Sequence, residues 1–334
     1  MVPEKLKKGD GVAVFSPSLP ATRNVPKRYQ RAKKYLIDKG FELIEGSLTG
    51  KSDYYRSGSI QDRAKELNQL IHNPKVKCII SAIGGINSNS ILPYIDYEAL
   101  KKNPKIIMGY SDVTALLLGI YAKTGLTTYY GPAVVASFGE FPPLVEETYS
   151  YFSDIVVNEL KFPYKIPMPL RWTEEMIDWE SQDRPKKMRD NQWLTLEEGK
   201  VKGRFIGGNL NTISGIWGTD YMPEIREGDI LFLEDSLLDI GTAERSFSHL
   251  KLAGVFDKIG GLLIGKHEKF DHMGTEKTYY DVCMEVIGQC DFPILAEFDC
   301  CHTHPMLTMP IGCEIELDTS RRTVTIISEE TKNS

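Results

Sequence analysis

Short apolar runs alternate with segments of helical spacing through the first half of the chain. Val12-Ala13-Val14-Phe15 is a buried-strand run ending in Ser16-Pro17-Ser18. From Pro26 to Lys39, Tyr29, Ala32, Tyr35 and Leu36 fall on one helical face among Lys and Arg, and Gly40 stops the pattern. Phe41 to Ile44 predicts the next strand. Ile60 to Ile71 repeats the helical spacing with Ala64, Leu67, Leu70 and Ile71, and halts at Asn73-Pro74. Val76 to Ile83 and Lys105 to Met108 predict two more buried strands, the second followed by a helix from about Val113 to Lys123 that ends at Gly125. Strands this short and this uniformly apolar, separated by helices, predict an α/β fold with a parallel sheet covered on both faces.

The texture changes between about Phe162 and Glu198. Pro163, Pro167, Pro169 and Pro185 interrupt it, and Trp172, Trp179 and Trp193 fall within it. It predicts a long connection, folded over a site, between a first domain at 1–161 and a second at 199–334. The second half has strands at Lys202–Ile206, Asp229–Leu233, Gly261–Ile264, Pro293–Ala296, Cys313–Leu317 and Thr323–Ile327, with helices near Thr242–Leu252 and Thr278–Ile287. That half is the richer in strand.

Composition narrows the functional classes. The 334 residues are 41% hydrophobic and 26% charged, as in ordinary globular proteins, and the formal net charge of −6 argues against nucleic acid or an anionic membrane as the main partner. No run approaches the ~20 apolar residues of a membrane span. The first residues carry no apolar core of a secretory signal, so the expected location is the cytoplasm. Six Cys are too few for a disulfide scaffold.

Chemistry concentrates where strands give way to helices, since free N–H groups and helix dipoles point there. Met108-Gly109-Tyr110-Ser111-Asp112 follows one apolar strand and precedes a helix. Ser111 there is placed either as the nucleophile of a tight elbow or as a helix cap; Val113 stands where the second Gly of the usual elbow would be. Gly84-Gly85 after the preceding strand leaves N–H groups uncovered, which suits an oxyanion or a carboxylate. A serine nucleophile needs a base and an orienting acid. His302, in Cys300-Cys301-His302-Thr303-His304, is the candidate base, and Glu234 or Asp235, at the exit of an apolar strand, the candidate acid. The alternatives are a metal held by the Cys/His cluster, a cysteine nucleophile, and a capping role for Asp235 or Ser236. Cys301 and His302 are adjacent, which makes one tetrahedral site hard to close, and no Cys-x-x-Cys or His-Glu-x-x-His spacing occurs. There is neither a Gly-x-Gly-x-x-Gly nor a Walker motif for nucleotide phosphates.

Taken in order, Gly84-Gly85, Gly109-Tyr110-Ser111-Asp112, Gly207-Gly208-Asn209-Leu210, Leu233-Glu234-Asp235-Ser236 and His302-Thr303-x-Pro305-x-x-Thr308-x-Pro310-x-Gly312 resemble the LD-carboxypeptidase family of serine peptidases. The likeness runs from Lys7-Lys8-Gly9-Asp10 to beyond Gly312. Tyr54-Tyr55-Arg56-Ser57-Gly58 and the Trp-bearing connection are most like its microcin C self-immunity branch. The resemblance implies a flavodoxin-like N-terminal domain, a smaller strand-rich C-terminal domain, a site between them and a homodimer. It implies Ser111 as nucleophile, His302 as base, Glu234 as the acid, and an oxyanion hole from the amides of Gly85 and Asp112. Asn209, Asn211 and Trp193 are the expected substrate contacts, with Trp179 a second candidate for stacking on an aromatic group. The implied reaction is cleavage of an amide next to a free carboxylate in murein L,D-peptides, or of the aminoacyl-nucleotide bond in processed microcin C, with no metal or organic cofactor. A non-catalytic binding or immunity module and a metallohydrolase are the competing classes. Two departures stand out: Cys300-Cys301 replaces the usual Phe-Gly before His302, and Leu238 falls where the immunity branch carries a Lys.

Overall fold

The computed structural model describes residues 1–329, so the end of the expected second domain, 330–334, lies outside the described residues. Strands β1 (Gly11–Phe15), β2 (Glu42–Glu45), β3 (Val76–Ser81), β4 (Ile106–Gly109) and β5 (Tyr129–Tyr130) come from the first half. Downstream lie β6 (Tyr164–Lys165), β7 (Arg171–Trp172), β8 (Arg189–Asp190), β9 (Leu194–Glu197), β10 (Lys200–Asn209), β11 (Ile230–Glu234), β12 (Gly261–Gly265), β13 (Ile294–Phe298), β14 (Met309–Pro310), β15 (Glu314–Asp318) and β16 (Thr323–Ser328). The first sheet runs β14-β5-β4-β3-β1-β2, and its strands β1 to β5 are mutually parallel. Their order, 2-1-3-4-5, is the flavodoxin-like doubly wound order. The last strand of this sheet arrives from far downstream: β14 pairs antiparallel with β5.

β1 and β4 are buried along their whole length because helices cover both faces, which is why they read as unbroken apolar runs. The helix Ile60–His72 begins where the Ser59 hydroxyl accepts from the Asp62 N–H at 3.1 Å. Thr114–Thr124 is apolar nearly all round, lies in the interior, and ends on left-handed Gly125. Leu144–Val156 is a helix that sequence reading passed over. Leu144, Val145, Thr148, Phe152, Ile155 and Val156 are its buried stripe, but no side chain caps its start, so the usual opening signal is missing.

The second sheet runs β6-β16-β15-β10-β11-β12-β13-β9, with β10 to β13 parallel and the outer pairings antiparallel. It has eight strands to the first sheet's six, as expected of the strand-rich half. β10 serves both halves of it: Lys200–Arg204 pairs with β15 and Phe205–Asn209 with β11. At the end of β10 the second sheet meets the first. A Cβ on Gly208, where φ is +153°, would come within 2.6 Å of the Thr114 methyl, and the Asn209 amide donates to Thr114 Oγ1 at 3.0 Å. That close approach brings the exits of β4 and β11 to one cleft. Among the described residues no helix is long and apolar enough to cross a membrane.

Candidate active site

Ligands of doubly wound sheets bind outside the carboxyl ends of the strands, at the point where strand order reverses. Here that point lies between β1 and β3, and the loops leaving both are tied together. Ser18 Oγ accepts from the amides of Ile86 (3.1 Å) and Asn87 (3.3 Å) and donates to Asn87 Oδ1 at 2.8 Å. Buried Arg63 donates to the Pro17 carbonyl at 2.6 Å and to Asn87 Oδ1 at 2.8 Å. Ser57, from the Tyr-Tyr-Arg-Ser-Gly segment, donates to the Ser16 carbonyl. Gly85 sits in this clamp at φ +151°, and a Cβ on it would stand 2.2 Å from Ser18 Oγ. Only glycine fits that position.

The turn after β4 carries Ser111 at φ +61°, a left-handed conformation that costs a non-glycine residue about 1–2 kcal/mol. Its side chain caps neither the short 3₁₀ turn Ser111–Val113 nor the helix beginning at Thr114, so the capping alternative falls away. Next to it Asp112 is buried, and its carboxylate accepts from the amides of Asn87 (3.1 Å) and Ser88 (2.9 Å). Burial nevertheless raises its pKa. Asp112 therefore locks the Gly84-Gly85 loop against the serine turn. The amides of Gly85 and Asp112 donate to no acceptor among the described residues.

The second sheet supplies an acid–base pair. Glu234, the last residue of β11, is fully buried, and its Oε2 lies 2.6 Å from Nδ1 of His302, whose side chain is 14% exposed. Oε1 accepts from Tyr130 Oη at 2.5 Å and from Asn209 Nδ2 at 3.0 Å. Burial pushes the Glu234 carboxyl up, but the imidazole's charge and these three hydrogen bonds outweigh it, and its pKa ends below the ordinary value. For His302 burial pushes down, and the Glu234 charge and hydrogen bond overcome it, leaving the imidazole pKa raised. Tyr130 also accepts from the Ser111 amide at 3.0 Å, so one phenol links the serine turn to the carboxylate. Sequence reading missed Tyr130; its only signal is a tyrosine at a strand end before Gly131-Pro132.

Ser111 and His302 line one cavity of about 520 Å³, together with Gly84, Gly85 and Asp112. Ser111 Oγ makes no hydrogen bond to the imidazole; catalytic contacts of this kind often tighten only around substrate. Asp235 lines the same cavity but not as the orienting acid: it accepts from Asn209 Nδ2 and the Asn211 amide, and burial, then the charge of Glu234, pushes it up to about 7. Asn209 lies in the wall, yet its side-chain amide is spent on Glu234 and Asp235, so it positions carboxylates. Asn211 reaches the cavity with an exposed side chain.

Trp193 is a correction. It is 1% exposed, packs at a 59° tilt against Phe298 with ring centroids 5.1 Å apart, donates Nε1 to Asp299 at 2.8 Å, and does not line the cavity. Trp179 lines the cavity instead, with the Arg28 guanidinium 4.6 Å over its ring, and Met176 and Lys186 of the same connection join it. The Cys/His cluster does not converge. Cys300 Sγ faces the Tyr130 and Leu307 carbonyls at 3.6 Å, Cys301 Sγ faces Thr303 Oγ1, and His302 Nδ1 is taken by Glu234. Among the described residues no three His, Cys, Asp or Glu side chains form a metal-holding group. Both thiols are buried and pushed up, Cys301 to about 12, which is wrong for a thiolate nucleophile. Cys301 has no positive φ, so its Cβ in place of the usual glycine is accommodated.

A serine on a strained strand-to-helix turn and a carboxylate-bound imidazole thus line one cavity where the two sheets meet. Comparison with known proteins resolves the class. Residues 12–131 match the LD-carboxypeptidase N-terminal domain and residues 202–317 the LD-carboxypeptidase C-terminal domain, and the chain belongs to that family. It is 51% identical over 323 residues to the microcin C7 self-immunity protein MccF of Escherichia coli, covering 96% of this chain and 94% of that one. A Vibrio cholerae protein with a provisional carboxypeptidase name is 59% identical over 315 residues, 94% of each chain. The solved structure of MccF in complex with aspartyl sulfamoyl adenosine superposes with a TM-score of 0.96 at 51% identity, covering 98% of both chains.

Proposed function

We propose that the protein is a serine-type carboxypeptidase or amidase. Its substrates would be amides next to a free carboxylate, as in murein L,D-peptides, or the aminoacyl-nucleotide bond of processed microcin C-like compounds. The carrying observation is the buried Glu234–His302 pair at 2.6 Å opening onto the cavity that also receives Ser111. In the reaction Ser111 Oγ adds to the carbonyl carbon while His302 Nε2 takes its proton. Glu234 accepts the Nδ1–H bond and stabilises the imidazolium. The carbonyl oxygen becomes an oxyanion held by the unshared amides of Gly85 and Asp112. As the C–N bond breaks, the imidazolium returns its proton to the leaving nitrogen. Water then repeats the sequence on the acyl-serine, releasing the carboxylate product and restoring the hydroxyl.

Of the two substrate classes, Trp179 favours the nucleotide, because one face of its indole is covered by Arg28 and the cavity side is available to a flat base. The deciding experiment gives the purified protein an L,D-linked tetrapeptide and an aminoacyl sulfamoyl adenosine side by side and follows product by mass. Release from at least one is expected, unaffected by chelator. Tight binding of both with release of neither would make the protein a sequestering module instead.

Gly85 gives a sharper check on the oxyanion assignment. A Gly85→Ala substitution should lower kcat by about 100-fold or more, because the amide must move away from Ser18. The melting midpoint should fall by only a few degrees where the loop shifts to relieve the clash at a local cost of ~1–2 kcal/mol. Unchanged kcat would remove Gly85 from the reaction.

A further inference from the structure

We infer that Lys186, with His304 beside it, forms the subsite that holds a carboxylate of the substrate. This deepens the hydrolase reading and rests on it for the existence of a turned-over substrate, though not for binding.

Lys186 comes from the connection that folds over the cavity. Its side chain is only 4% exposed, yet it lines the cleft, and among the described lining residues it is the only Lys or Arg. Its Nζ lies 3.0 Å from Glu140 Oε1, but that carboxylate is already held by Arg28, itself fully buried. The other oxygen of Glu140 accepts from Gln182 Nε2 at 3.0 Å. Two cations therefore share one carboxylate in the wall, and a buried positive charge without its own counter-ion is costly until an anion arrives. Glu268 lines the cleft too and senses Lys186 electrostatically, but no ion pair joins them.

His304 supplies the second, independent feature. It is 5% exposed and lines the cleft, and its Nδ1 is buried without a hydrogen-bond partner among the described residues. Burial, then the charge of Lys186, pushes its pKa down to about 3, so the ring is neutral and keeps one N–H to donate. An ammonium and a neutral imidazole N–H on one wall suit a carboxylate. The loop after Glu234 offers none in competition, since Ser236-Leu237-Leu238-Asp239-Ile240 contains no cation.

The test measures binding to the Ser111→Ala protein by calorimetry, so that it reads out even where turnover fails. One arm uses an L,D-linked peptide ending in free D-alanine against its C-terminal carboxamide. The other uses aspartyl against asparaginyl sulfamoyl adenosine. In one arm at least, the carboxylate ligand should bind roughly 10- to 100-fold tighter than its amide, and Lys186→Met should erase most of that ratio while Lys186→Arg keeps it. The arm that responds names the source of the carboxylate. Equal losses on acid and amide in Lys186→Met, or no acid–amide ratio in either arm, would overturn the subsite. Lys186→Gln, with its fold checked by melting, serves where the Met variant is unstable. Wild-type turnover of both substrates, measured separately, reports on the hydrolase reading alone.

Discussion

Ser111→Ala should abolish product release, lowering kcat by about 10⁴- to 10⁶-fold, while ligand affinity stays within a few-fold. The asymmetry follows from where the hydroxyl sits. Ser111 Oγ supports nothing structural: it caps no helix and hydrogen-bonds no described residue, while the turn is held by the hydrogen bond from its backbone N–H to Tyr130 Oη and by Asp112. Removing one oxygen therefore takes away a reactive atom and leaves the cleft standing. Single-turnover assays with equilibrium binding separate the two quantities. A variant that turns over normally would end the serine mechanism, and one that loses binding and melting temperature together would make Ser111 a structural residue. The strain at φ +61° points the same way, since a fold that needed only a cap would place the serine in an unstrained conformation.

Much of this was legible before any coordinates because the strands are short, apolar and bounded by Gly, Pro or Asn. The parallel sheet and its junctions follow from that alone, as do Ser111, the Glu234-Asp235 pair and His302 at or just beyond strand exits; the choice of Glu234 over Asp235 comes from the family resemblance. The links among those residues were not legible. Tyr130, 104 positions from Glu234, joins it to Ser111, and nothing in a local window distinguishes it from neighbouring Tyr129, which faces the core. Asn209 is expected as a substrate contact only through the family resemblance; the register of β10 on β11 turns it onto Glu234. Trp193 and Trp179 are equally plausible as stacking residues in sequence. Burial separates them, because Asp299, ion-paired to buried Lys266, draws the indole N–H of Trp193 inward. Lys186 reads as one charge among many in Arg184–Asp190, and only the folding of the connection over the cleft isolates it.

A Glu234→Gln substitution should cost about 10³- to 10⁴-fold in kcat and also move the pH profile in a definite direction. His302 must be neutral to take the serine proton, so activity falls as pH drops through its pKa. In the wild type the Glu234 charge outweighs burial and raises that pKa above the ordinary 6.5, which places the acidic limb of kcat/KM above pH 6.5. With a neutral amide at position 234 the raising interaction is lost and burial remains, so the acidic limb should shift to lower pH as the rate collapses. Glu268 and Asp235 also raise His302 and would limit the size of the shift without reversing it. The two effects have one cause, and a structural defect would not produce the second. The introduced carboxamide has a single oxygen: turned to Tyr130 and Asn209 it presents NH₂ to Nδ1, and turned to Nδ1 it presents NH₂ to those two donors, so the imidazole loses its fixed tautomer. Rate profiles of both proteins between about pH 5 and 9, with melting curves at each pH, check this. A lower rate with an unmoved acidic limb would mean that Glu234 holds the fold of the cleft and not the charge of His302.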